Sequence, residues 1–170
     1  SLKQPWEIIN GSMVSALFDN SRLEKYIREN MARNDIPNNF VELYEERGCD
    51  LYLTAMDLNT AKLETFGHDE NNRLSISKAV QASSALPGWY RPLEVGNRCF
   101  VDGAIVRTAN ISVAVQHGAD LIICYNPFRP LVQYPGTGFR KDSEDIVKGG
   151  LFSIVNQVFR ALLHSRVTLA

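Results

Sequence analysis

Apolar residues return along this chain with two alternating periods, and the switches between them lay out the expected elements. Leu23, Tyr26, Ile27 and Met31 recur at the interval of one helix face. Ser21 and Glu24 have the spacing of a capping box, so an amphipathic helix is expected from Ser21 to near Arg33. Residues 50–56 read DLYLTAM, alternating and β-rich, and residues 62–66 can pair with them across Asp57-Leu58-Asn59-Thr60 as a hairpin. Ser75 opens a second helix with Ile76, Ala79, Val80 and Ser83 on one face, and Leu86-Pro87-Gly88 stops it. Val95-Gly96-Asn97-Arg98 reads as a tight hairpin, because Gly-Asn supplies the positive φ angles of two-residue turns.

The returning strand, 99–101, delivers Asp102 to its end, where Gly103 lets the backbone turn away. Asn110 or Thr108 is expected to cap a short helix ending at Gly118, and Leu121-Ile122-Ile123-Cys124 has the apolar run of a buried parallel strand. Helices alternating with buried strands imply a layered α/β fold. The pattern is lost over 128–150, where prolines and glycines mark an exposed loop, and an apolar helix is expected over 151–167.

Composition narrows the class. A chain of 170 residues with 45% hydrophobic and 22% charged residues can bury one core. A net charge of −1 gives no general basic surface, so nucleic acid is not an expected partner. No apolar run is long enough to span a bilayer, and no signal-peptide pattern occurs. Cys49, Cys99 and Cys124 form no close pair of the metal-binding kind. They read as reduced core thiols, with Cys99 the one alternative nucleophile because Asp102 follows it closely.

Chemistry concentrates in two segments, the run ASSALPGWYRP over 82–92 and Phe100-Val101-Asp102-Gly103-Ala104. An acid where a strand stops is well placed to face a cleft. Taken alone, Asp102 reads first as a turn residue bonding its own backbone before glycine.

Together the two segments resemble the patatin-like phospholipases and lipid acyl hydrolases. Ala82-Ser83-Ser84-Ala85-Leu86-Pro87 is similar to that family's A-S-x-A-x-P helix end, Trp89-Tyr90-Arg91-Pro92 occupies its aromatic-proline segment, and Asp102-Gly103-Ala104 is similar to its D-G-G or D-G-A motif. The resemblance runs over roughly residues 11–127. It implies a three-layer α/β/α sheet with flanking helices, incomplete in this chain. It also implies hydrolysis of phospholipid or related acyl esters by a Ser-Asp dyad, with Asp102 as the base acting without an intervening histidine, and Gly103 and Ala104 supporting it. The implied partners are a lipid or acyl-ester substrate and a peripheral membrane contact, with no cofactor or metal, in a cytoplasmic or membrane-peripheral setting.

The chain departs from the family in lacking a Gly-rich oxyanion loop and a G-x-S-x-G elbow, and Gly11-Ser12-Met13 has no second glycine. The chain also opens on Ser1 rather than methionine. The expectation is that residues 1–170 are the C-terminal part of a single domain. The nucleophile would then lie in the upstream half of that domain, and this chain alone would be inactive.

Other residues carry weaker expectations. Ser83 and Ser84 read as helix-packing hydroxyls, and His68, His117 and His164 as solvated or helix-end residues. Trp89, Tyr90 and Phe100 read as core aromatics or as the lining of an acyl groove. The 151–167 helix, with Arg160 and Arg166, reads as a cover for the sheet or as an interfacial helix. The competing function is a non-catalytic α/β module that binds lipid or a partner protein. A nucleotide-binding domain is disfavoured, because no G-x-G-x-x-G or P-loop occurs.

Overall fold

The computed structural model describes residues 18–107, 110–125, 150, 155 and 157–161. The chain falls into two compact units, Ser1–Val106 and Arg107–Ala170.

In the first unit, helix α1 (Ser21–Arg33) and helix α2 (Phe40–Arg47) precede strands β1 (Leu53–Asp57) and β2 (Lys62–Phe66). Helix α3 (Ile76–Ser83) leads to β3 (Leu93–Val95), β4 (Arg98–Asp102) and a 3₁₀ turn over Gly103–Ile105. The four strands form one antiparallel sheet in the order β2-β1-β4-β3. It is two hairpins joined where β1 meets β4, with Ala55 opposite Asp102 and Asp57 opposite Phe100. Both hairpins stand where the alternation placed them, and Gly96 takes the φ of +60° that the second turn needs.

Helix α3 packs on β1 and β4, and α1 packs on α3, so the α/β expectation is met. Ala79, Ala82 and Ala85 are fully buried, because only small side chains let this segment approach the sheet so closely. Phe40, Phe66, Ile76 and Phe100 fill the rest of the core, with the Phe66 and Phe100 rings meeting edge to face at 5.6 Å. Losing one of these phenyl rings would cost about 3–5 kcal/mol.

The α1 start differs from the expected capping box. Asn20 holds the N-cap position without a side-chain cap bond, while Asp19 accepts from the Ser21 N–H and hydroxyl. Glu24 is drawn away to a buried partner, accepting from Ser77 Oγ at 2.9 Å and from Arg28 Nε at 3.0 Å. Asn38 completes this node by donating to Ser77 Oγ and accepting from the Ser77 N–H. Tertiary pairing of a fully buried hydroxyl outweighs a local cap that water can replace. Helix α2 was not anticipated; Asn39 caps it by accepting from the Val41 and Glu42 N–H groups.

In the second unit, helix α4 (Ile111–Gln116) follows Asn110, which takes the N-cap position without a side-chain cap bond. Thr108 lies outside the described residues, as do 126–149, where the exposed loop was expected. Residues 150, 155 and 157–161 are helical, and the remainder of the expected last helix lies outside the described residues. Leu121-Ile122-Ile123-Cys124 is not the buried strand its hydropathy suggested. No strand is assigned there, and Leu121 and Ile123 are 80% and 87% exposed. An extended apolar run becomes a buried strand only where another strand meets its N–H and C=O groups, and none among the described residues does so. Cys124 is therefore exposed rather than a core thiol, as is Cys49.

Candidate active site

Asp102 is the last residue of β4, half-buried at the point where the strand gives way to the 3₁₀ turn. Three contacts set its position. Its N–H donates to the Ala85 carbonyl at 3.0 Å, its Oδ1 accepts from the Ala104 N–H at 2.8 Å, and its backbone sits opposite Ala55 of β1. The first contact explains why the two informative segments occur together: the end of ASSALP is hydrogen-bonded to the residue that precedes Gly103-Ala104. Gly103 is required by close approach, since a Cβ there would stand 2.8 Å from both the Thr54 carbonyl oxygen and Thr54 Oγ1.

No described residue donates to the second carboxylate oxygen, and no cation among them lies near enough to perturb the group. Burial pushes the Asp102 carboxyl above the usual carboxylate range, and the Ala104 N–H opposes this only in part. A half-buried acid with one oxygen anchored and the other uncommitted can take up a proton from a group brought against it.

The same sheet carries a second acid of contrasting character. Asp57, 1% exposed, ends β1. Its Oδ1 accepts from the Asn59 N–H at 2.9 Å and its Oδ2 from Arg98 Nε at 2.9 Å. Burial pushes the Asp57 carboxyl up, but the Asn59 N–H and Arg98 outweigh it and hold the group below its ordinary range. Arg98 also reaches Glu64 Oε2 at 2.7 Å and lies 4.8 Å from the Phe100 ring centre. An open polar pocket of about 450 Å³ is lined by Glu64, Glu70, Asn71, Asn72, Arg73 and Arg98. It opens at the Arg98 end of β4, whereas Asp102 is at the other.

The remaining expected residues scatter. Ser83 closes α3 and Ser84 is its C-cap, neither on a strand-to-helix elbow. Ser77, the fully buried hydroxyl, is committed to Asn38 and Glu24. Cys99 lies within β4, and burial raises its thiol, which disfavours the thiolate a nucleophile needs. Phe100 is core, while Tyr90 is exposed. His68 is not solvated as expected. Its ring stacks on Tyr44 at 3.9 Å with Nδ1 3.3 Å from Asp50 Oδ1, on elements the sequence gave no reason to join. His117 is the α4 C-cap, as expected of a helix-end residue, and His164 lies outside the described residues. Among the described residues no three His, Cys, Asp or Glu side chains are grouped to hold a metal, and no helix is long and apolar enough to cross a membrane.

Thr54 and the Ala85 carbonyl were missed by sequence reasoning. Nothing in the composition of β1 signals Thr54. The carbonyl could have been suspected only from the fixed distance between the two segments.

Comparison with known proteins bears on this geometry. The family profile described as patatin-like phospholipase matches residues 1–115. A curated protein of Invertebrate iridescent virus 6, named "Probable lipid hydrolase 463L", is 21% identical over 103 residues, which is 59% of this chain and 36% of that protein. The chain thus spans about a third of the length of that curated relative.

Proposed function

The chain belongs to the patatin-like phospholipase family, and we propose that it supplies the general base of a lipid acyl hydrolase that cleaves carboxylic ester bonds of phospholipid or a related acyl ester. Asp102 is that base. The observation that supports it is the uncommitted oxygen: of the two strand-end acids Asp57 and Asp102, Asp102 alone has an outer oxygen that accepts from no residue among the described ones.

In this proposal a serine hydroxyl, carried by a segment other than these 170 residues, gives its proton to Asp102 as it attacks the ester carbonyl, and Asp102 passes that proton to the leaving alcohol as the acyl-enzyme forms. Water then attacks the acyl carbonyl, giving its proton to Asp102, which passes it to the serine oxygen as the carboxylic acid departs. An ordinary aspartate is a weak base at neutral pH, so a carboxyl raised by desolvation is better matched to the task. The Ala104 N–H holds one oxygen so that the other keeps a fixed direction, and Gly103 on Thr54 fixes the turn that presents both. Peripheral contact with a membrane and association with the upstream half of the domain complete the proposal.

The test compares this chain alone with the same chain joined to its upstream segment, on a p-nitrophenyl acyl ester. The joined protein should turn over and the isolated chain should not. Turnover by the isolated chain would point to a serine within these residues. Activity of Asp102→Asn that falls only in step with its folded fraction would return Asp102 to a turn role.

A further inference from the structure

The segment that carries Ala85 to Asp102 continues into a turn with an aromatic edge. The Trp89 and Tyr90 N–H groups both donate to the Leu86 carbonyl, so the turn is held tightly. Phe18 is laced to it by two backbone bonds, its N–H to Trp89 O at 2.8 Å and its carbonyl to the Arg91 N–H at 3.0 Å. The Phe18 and Tyr90 rings stand 6.1 Å apart, tilted at 48°, and are 54% and 37% exposed. A backbone ladder thus holds two large apolar rings side by side in water, which the core does not require.

Two positive charges and one negative charge stand beside the rings. Arg22 and Arg91 are both exposed. Asp19 is held below its ordinary range chiefly by two hydrogen bonds from Ser21 and further by Arg91 and Arg22. Two guanidiniums against one carboxylate that is already spent on Ser21 leave the patch positive. One turn along α1 from Arg22, Tyr26 is also exposed. Aromatic rings flanked by arginines are what the boundary between lipid headgroups and acyl chains favours, since rings settle at that depth and guanidiniums pair with phosphates.

We propose that the Phe18–Tyr90 edge, with Arg22 and Arg91, is the surface that seats this protein on an anionic phospholipid bilayer. This rests on the lipid hydrolase proposal for its purpose but not for its measurement. Seated this way, the protein keeps the turn that bonds Asp102 close to the membrane face, so a lipid leaves the bilayer beside the base rather than across the protein.

The test uses the joined, complete protein and two sets of vesicles, phosphatidylcholine alone and phosphatidylcholine mixed with phosphatidylserine. Co-sedimentation should favour the anionic vesicles. Arg22→Glu/Arg91→Glu should weaken that binding by more than about tenfold, given roughly 1 kcal/mol for each basic residue at such a surface, and Phe18→Ala should weaken binding to both kinds. Hydrolysis of a soluble short-chain ester should be unchanged in these variants, while turnover of vesicle lipid falls. Unchanged vesicle binding in all of them would overturn the proposal. So would a self-associated protein that Phe18→Ala dissociates without altering vesicle binding, since the edge would then be a contact between copies. Asp102→Asn should bind vesicles normally, so failure of the base assignment would show in turnover alone.

Discussion

Asp57 and Asp102 begin from the same local design. Each is the final residue of a strand in one sheet, and each uses Oδ1 to accept the N–H two residues ahead, at 2.9 Å and 2.8 Å. They part at the second oxygen. Asp57 gives it to Arg98, and its carboxyl is pulled down; Asp102 gives it to no described residue, and burial drives its carboxyl up. A buried acid with a cation is a piece of architecture, and one without a cation is poised to change its proton. The contrast separates two aspartates that a strand-then-turn pattern cannot tell apart.

The comparison is broken most decisively by removing the charge from Asp102. In the complete protein Asp102→Asn should lower the hydrolysis rate by roughly two to four orders of magnitude while the melting temperature barely moves. Measured kcat, KM and melting temperature beside the parent decide it. If Asp57→Asn produced the same rate loss at full foldedness, the distinction drawn here would be wrong.

Next in size is the turn itself. Gly103→Ala puts a methyl group against the Thr54 carbonyl, and overpacking of this kind costs about 1–3 kcal/mol. Denaturant titration should show that loss, with a further fall in kcat as the carboxylate shifts. At the equivalent place after Asp57 stands Leu58, which is 45% exposed. Leu58→Ala should therefore stay within about 0.5 kcal/mol of the parent.

Arg98→Met probes the other acid by leaving Asp57 buried without its cation. The Arg98 side chain is 35% exposed, which discounts the loss, and a fall in melting temperature on the order of 5 °C is expected. Scanning calorimetry would show it, and the pocket at Glu64 should change shape without loss of soluble-ester turnover.

The smallest effects are in pH dependence, and they run in opposite directions. The folded-state value of Asp57 is depressed, so its contribution to stability is present above its unfolded value and is lost as pH falls through the folded one. The folded-state value of Asp102 is raised, so its contribution is complete below its unfolded value and is lost as pH rises through the folded one. Stability curves of Asp57→Asn and Asp102→Asn should lose slopes of opposite sign. The parent's kcat/KM should rise with pH through an inflection above the usual aspartate range, because only the ionised acid accepts a proton.

Much of the sheet was legible because hairpins are local. The alternation in 50–56 and 62–66 and the Gly96-Asn97 turn need only near neighbours to be read. Helix α3 was legible for the same reason, from its period and its proline stop. What could not be read depends on remote partners. Glu24 looked like a cap residue until Ser77 claimed it, His68 looked solvated until Tyr44 covered it, and Leu121-Ile122-Ile123 looked buried although no described strand takes it up. At the site, Asp102, Gly103 and Ala104 were readable as a motif. The reason for the glycine lay in Thr54, on a strand the motif does not mention.

The sheet's arrangement as two hairpins sharing one seam has a consequence for the order of events as the chain folds. Each hairpin can close early, because its strands are neighbours in sequence, but the seam of Ala55, Met56 and Asp57 against Asp102, Val101 and Phe100 must close a long loop first. The two contrasted acids lie at opposite ends of that seam. Until it zips, Asp57 has no Arg98 and Asp102 has no shelter from water, and both are ordinary carboxylates. The difference in proton affinity between the two acids is thus acquired only as the seam closes, so a half-opened chain has both hairpins before it has two distinct aspartates.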